Sequence, residues 1–114
     1  MICAISADES TTAWALGEMM RHSARDVAEA GRELGRFDSR AWLSSVNVPA
    51  AVVVTSRDSA VSPRKQRELA DALRAKVFDA PIDHLEVTTR GDLYNGPLLD
   101  AIRSVEARDR AAVR

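Results

Sequence analysis

Two rhythms of hydrophobic and polar residues divide the chain. From Thr11 to about Val46, apolar side chains recur every three or four positions, the spacing that gathers them on one side of an α-helix. Ser23 stands where a helix carrying Val27, Ala30, Leu34 and Phe37 on one stripe needs an N-cap, and Gly35 marks its expected end. A second short helix is expected from Asp38 or Ser39, burying Trp42 and Val46 and stopping before Pro49.

From Ala50 onward the pattern alternates between strand and helix. Ala50 to Thr55 is too uniformly apolar for a sheet wetted on one face and predicts a parallel strand covered on both sides. Ser62 followed by Pro63 reads as a helix start, because proline at the first helical position forfeits no hydrogen bond. Leu69, Ala72 and Leu73 then form the expected inward stripe. Lys76 to Ala80 predicts a second strand, ended by Pro81, a residue tolerated at a strand end or a sheet edge. A loop after His84 is expected to reach Pro97, where a terminal helix with Leu98, Leu99, Ile102 and Val105 begins before a fraying charged tail. Strand, helix, strand, helix is an α/β order, and its parallel strands call for a right-handed crossover.

A chain of 114 residues makes one small domain, able to bury about two thirds of its unfolded surface. The net charge of −1 and the absence of a basic block interleaved with aromatics argue against a nucleic-acid partner. Cys3 is the only cysteine, so no internal disulfide framework or multi-cysteine metal site can form. The first residues lack a signal-peptide pattern, and no apolar run approaches the roughly 20 residues of a membrane span. A cytoplasmic protein without metal or cofactor is the expectation.

Candidate chemistry lies where the strands end. In open parallel sheets, reactive groups collect in the loops beyond the carboxyl ends of the strands, since helices cover both faces. Asp58 follows the first strand and His84 the second. On neighbouring strands roughly 5 Å apart, the carboxylate could accept from one imidazole nitrogen and leave the other free as a general base. The same residues also fit a plainer reading, in which Asp58 caps a turn and His84 is a loop histidine.

The segments VPAAVVVTSRDSAVSPRKQRELADAL and VFDAPIDHLEV resemble the C-terminal third of an α/β-hydrolase, over about Asp38 to Val105. The resemblance implies that Asp58 is the triad acid and His84 the catalytic base, with Val61 and Pro63 in the positions that follow the acid. It divides the chain into a helical, lid-like segment, 1–37, and a C-terminal hydrolase portion, 38–114, with two parallel strands and covering helices. Thr55 stands where the family often has glycine, and Asp83 precedes the histidine where glycine is common, which offers the imidazole a second carboxylate.

The family's nucleophile sits in a G-x-S-x-G turn, whose glycines let the chain fold sharply enough to expose the serine. None of the five glycines, Gly17, Gly31, Gly35, Gly91 and Gly96, belongs to such a motif. What the resemblance implies is therefore an esterase- or lipase-like hydrolase reduced to its acid and histidine, truncated or split, and inactive alone. Its expected partner is a complementary N-terminal fragment or a second copy of itself.

Other residues carry plainer expectations. Cys3 has no neighbour that would activate a thiol, and His22, between Arg21 and Arg25, reads as a surface residue. Trp14, Met19 and Met20 form an apolar group that reads as a packing surface. Two further classes compete with the hydrolase reading. A phosphoacceptor receiver domain would need an acidic pair after an early strand and a lysine after a later strand, and neither arrangement is visible. A small non-catalytic interaction module would use the apolar helices to hold a partner.

Overall fold

Glu9–Met20 form α1 and Ala24–Arg36 form α2 in the computed structural model, which describes residues 9–113. The chain divides into two compact units, Met1–Ser39 and Arg40–Arg114. In the first unit Ser23 caps α2 as its position predicts, accepting from the Asp26 amide at 3.1 Å. Gly35 does not end the helix. It continues to Arg36, and the Phe37 amide closes it onto the Glu33 and Leu34 carbonyls. The stripe of Val27, Leu34 and Phe37 is exposed, as are Trp14, Met19, Met20 and His22. Cys3 lies outside the described residues.

The second unit opens on a 3-10 turn, Leu43–Ser45, in place of the expected helix. Leu43 is the residue it buries. Trp42, expected to be buried, is half exposed, and Val46 is only partly covered. The apolar run then forms β1, Ala51–Thr55, and Ser62 and Pro63 open α3, Pro63–Ala72, with the Ser62 hydroxyl accepting from the Lys65 amide at 3.4 Å. After α3 comes β2, Lys76–Ala80, which pairs in parallel with β1 in a register running from Ala51 opposite Lys76 to Thr55 opposite Ala80. A parallel pair joined by a helix places this unit in the α/β class.

The α3 exit explains the one non-glycine residue with positive φ. The Arg74 amide bonds the Asp71 carbonyl and the Ala75 amide bonds the Ala70 carbonyl, which requires Arg74 to adopt φ 51°. Its guanidinium compensates by donating to the Ser44 and Val46 carbonyls at 3.3 and 3.2 Å, tying the helix exit to the chain that leads into β1.

A 3-10 turn, Glu86–Thr88, precedes α4, Gly91–Ala112. The terminal helix thus begins six residues before Pro97 and continues through the charged tail. Arg90 and Asp92 support its first turn through paired bonds of 3.0 and 2.8 Å. Pro97 costs one backbone bond, and Gly96 presents no Cβ to the proline ring, which lessens the usual clash with the preceding residue.

Both helices pack on the sheet through small residues. α3 lies mainly against β1 and α4 against both strands. The buried position of α3 is Ala70, not the predicted Leu69, which is 40% exposed; that of α4 is Ala101, while Leu99 and Ile102 are about half exposed. The correction has a steric cause: an alanine lets a helix approach a two-stranded sheet closely, and so narrow a sheet cannot cover bulky residues on the flanks of the stripe. Val54 and Ile82 are the large side chains in the core that are fully enclosed. Two polar residues, Thr55 and Asp58, are buried beside them, so the candidate site is continuous with the core.

Candidate functional site

Backbone pairing continues past the ends of both strands, and this brings the two predicted residues together. The Ser56 amide bonds the Ala80 carbonyl at 2.9 Å and the Arg57 amide bonds the Ile82 carbonyl at 3.1 Å. Pro81 is the centre of a tight turn in which the Ile82 amide returns to the Ala80 carbonyl at 2.9 Å. Ile82 is thereby anchored inward, and His84, two residues on, falls beside Asp58.

His84 Nδ1 lies 3.0 Å from Asp58 Oδ2. The Asp58 side chain is only 3% exposed and the imidazole 54% exposed, so a buried carboxylate holds a ring whose far side faces solvent. An ionised carboxylate only accepts, so in the neutral imidazole Nδ1 carries the proton and Nε2 the free lone pair.

The two oxygens of Asp58 divide their work. Oδ1 accepts from the Ala60 and Val61 amides, both at 2.9 Å, and fixes the loop between β1 and α3. Oδ2 accepts from His84 Nδ1 and from the Thr55 hydroxyl at 2.8 Å. The turn-capping role and the histidine-orienting role therefore coexist in one side chain. Burial pushes the Asp58 carboxyl up, but bonds from Val61, His84, Thr55 and Ala60 outweigh it and hold the group below the usual carboxylate range.

Asp83, next to the histidine in sequence, bonds its own turn rather than the imidazole. Its Oδ1 accepts from the Leu85 and Glu86 amides at 2.8 and 2.9 Å, while Glu86 Oε2 accepts from the Asp83 amide at 2.8 Å. This reciprocal arrangement, like that of a capping box, commits Asp83 to the 3-10 turn that follows.

Gln66 is the member of the site that the sequence pattern did not single out. Its Nε2 donates to Thr55 Oγ1 and to the Val61 carbonyl, both at 2.8 Å, and its Oε1 accepts from the Thr55 amide at 2.9 Å. A usable signal was present: Gln66 precedes buried Ala70 by one helical turn, so a polar side chain occupies the sheet-facing stripe of α3. A shallow cleft of about 330 Å³, lined by Asn47, Pro49, Leu73, Arg74 and Arg108 among others, opens at the opposite end of β1, away from this cluster.

Among the described residues no group of three or more His, Cys, Asp or Glu side chains is placed to hold a metal ion, and no helix is long and apolar enough to cross a membrane. Comparison of the chain with family models, with curated proteins and with solved structures found no match.

Proposed function

We propose that this chain is the acid-and-histidine portion of an α/β-hydrolase fold protein, esterase- or lipase-like in class. The observation that carries the reading is the 3.0 Å contact of His84 Nδ1 with buried Asp58 Oδ2 at the carboxyl ends of two adjacent parallel strands. In that role Nε2 of His84 takes the proton of a nucleophilic hydroxyl as it attacks an ester carbonyl, then returns it to the leaving alkoxide. Asp58 fixes the tautomer and compensates the charge that forms on the ring.

The 114-residue chain carries no G-x-S-x-G motif, so the nucleophile must come from elsewhere. A complementary N-terminal hydrolase fragment that supplies it is the proposed partner, meeting the chain along β1, the edge through which two copies of the chain would also self-associate. Among the described residues β1 pairs with β2 alone. The Ala50 carbonyl and the Ser56 amide bond toward β2, so by alternation the backbone of Ala51, Val53 and Thr55 faces away from it. Gln66 caps the Thr55 amide, which leaves Ala51 and Val53 as the open rungs.

The experiment is hydrolysis of an activated ester by the purified chain beside its His84→Ala variant. Equal, near-background rates are expected; turnover that disappears with the histidine would reveal a nucleophile within the chain and overturn the claim that it is inactive alone. A small non-catalytic interaction module is the second reading, favoured by the exposed Trp14, Met19 and Met20 of the helical unit.

A further inference from the structure

We infer that Gln66, acting through Thr55, is a positioning residue of the Asp58–His84 pair: it dictates which way the Thr55 hydroxyl donates and so aims the carboxylate at the imidazole. The inference deepens the hydrolase reading and depends on it for its catalytic meaning. The Thr55 amide can only donate, so the Gln66 atom 2.9 Å away must be Oε1, and Nε2 must face Thr55 Oγ1 and the Val61 carbonyl. A carboxamide turned the other way would set N–H against N–H.

With Nε2 donating to Thr55 Oγ1, the single hydroxyl proton is left two acceptors: Gln66 Oε1 at 3.2 Å and Asp58 Oδ2 at 2.8 Å. The shorter contact is to the charged group and prevails. Thr55 then donates to the same oxygen that receives His84 Nδ1–H, and Gln66 Nε2 stands 3.4 Å from it as well. All these partners except the ring are buried or half buried, and the hydrogen bonds run from the backbone of β1 and the first turn of α3. The exposed imidazole depends on them for its orientation. Gln66 bonds Thr55 and the Val61 carbonyl and makes no hydrogen bond to the ring, which makes its role one of positioning.

The test is the tautomer of His84 in the full chain, read from the 15N shifts of Nδ1 and Nε2 above neutral pH, in wild type, Gln66→Ala, Gln66→Glu, Thr55→Val, Thr55→Ser and Asp58→Asn. Wild type should be predominantly the Nδ1–H form. Gln66→Ala and Thr55→Val should each lower that preference by roughly fivefold, the order of one net hydrogen bond. Gln66→Glu, which replaces the Nε2 donor with an acceptor oxygen, should behave like the alanine variant, and Thr55→Ser, which keeps the hydroxyl, should restore the wild-type ratio. Should Gln66→Ala unfold, Thr55→Val and Thr55→Ser decide the matter between them. An Nδ1–H preference that Asp58→Asn abolishes but Thr55→Val and Gln66→Glu leave intact overturns the positioning role and spares the dyad. A wild-type ratio unchanged even by Asp58→Asn overturns the dyad itself.

Discussion

Asp58 and His84, one buried and one exposed, are joined at 3.0 Å across the ends of two parallel strands, and the carboxylate is simultaneously the cap of its own loop. Loss of Asp58 therefore removes a structural bond set and a histidine partner in one step. Asp58→Ala should destabilise the chain by about 1–3 kcal/mol, because the buried Thr55 hydroxyl and the Ala60 and Val61 amides lose their acceptor. Chemical denaturation at neutral pH measures it.

The same group sets a pH dependence. Its carboxyl is held below the ordinary range in the folded chain, so between the folded and unfolded pKa the unfolded state binds more protons. The stabilisation is complete above the unfolded value, about 4, and is lost as pH falls through the folded value. Unfolding midpoints measured from pH 7 down to pH 2 should fall across that window, and Asp58→Asn should flatten this part of the profile.

Ile82 carries the turn that delivers His84, and it is fully buried. Ile82→Ala should cost about 2–5 kcal/mol, comparable with the whole stability of a small domain. Far-UV circular dichroism with thermal unfolding should show a chain that is largely unfolded at 37 °C. A midpoint within a few degrees of wild type would contradict the anchoring role given to the residue.

Local signals carried the strands, the α3 start and the meeting of Asp58 with His84: β-branched runs, a Ser-Pro pair, and an acid and a histidine at strand ends. These are decided by a few neighbouring residues and survived folding. The helix faces were not legible in the same way. Leu69, Ile102 and Trp42 are apolar and periodic, yet the narrow sheet leaves room only for Ala70 and Ala101 to approach closely. Pro97 misled for a related reason, since Gly96 and the Arg90–Asp92 pair support a helix start that proline alone would not mark. Asp83 and Gln66 exchanged importance because hydrogen-bond direction, invisible in spacing, gave the first to a turn and the second to Thr55.

The open rungs of β1 predict association. Ala51 and Val53 present an open apolar edge with no lysine, proline or bulge to discourage pairing. Sedimentation equilibrium of the purified chain should show concentration-dependent self-association. Ala51→Pro removes an outward amide at the first strand position, where proline is tolerated, and should weaken association several-fold. A wild-type chain that stays monomeric at every concentration would contradict the open edge as an interface.

Whether Asp58 and His84 serve as the acid and base of a hydrolase completed by another segment is decided by mixing the chain with a separate hydrolase fragment bearing G-x-S-x-G and measuring activated-ester hydrolysis. Turnover should rise above that of either part alone and fall about a thousandfold or more with His84→Ala and with Asp58→Asn. Turnover that survives both substitutions, or none at all although the two parts form a stoichiometric complex, would contradict those roles.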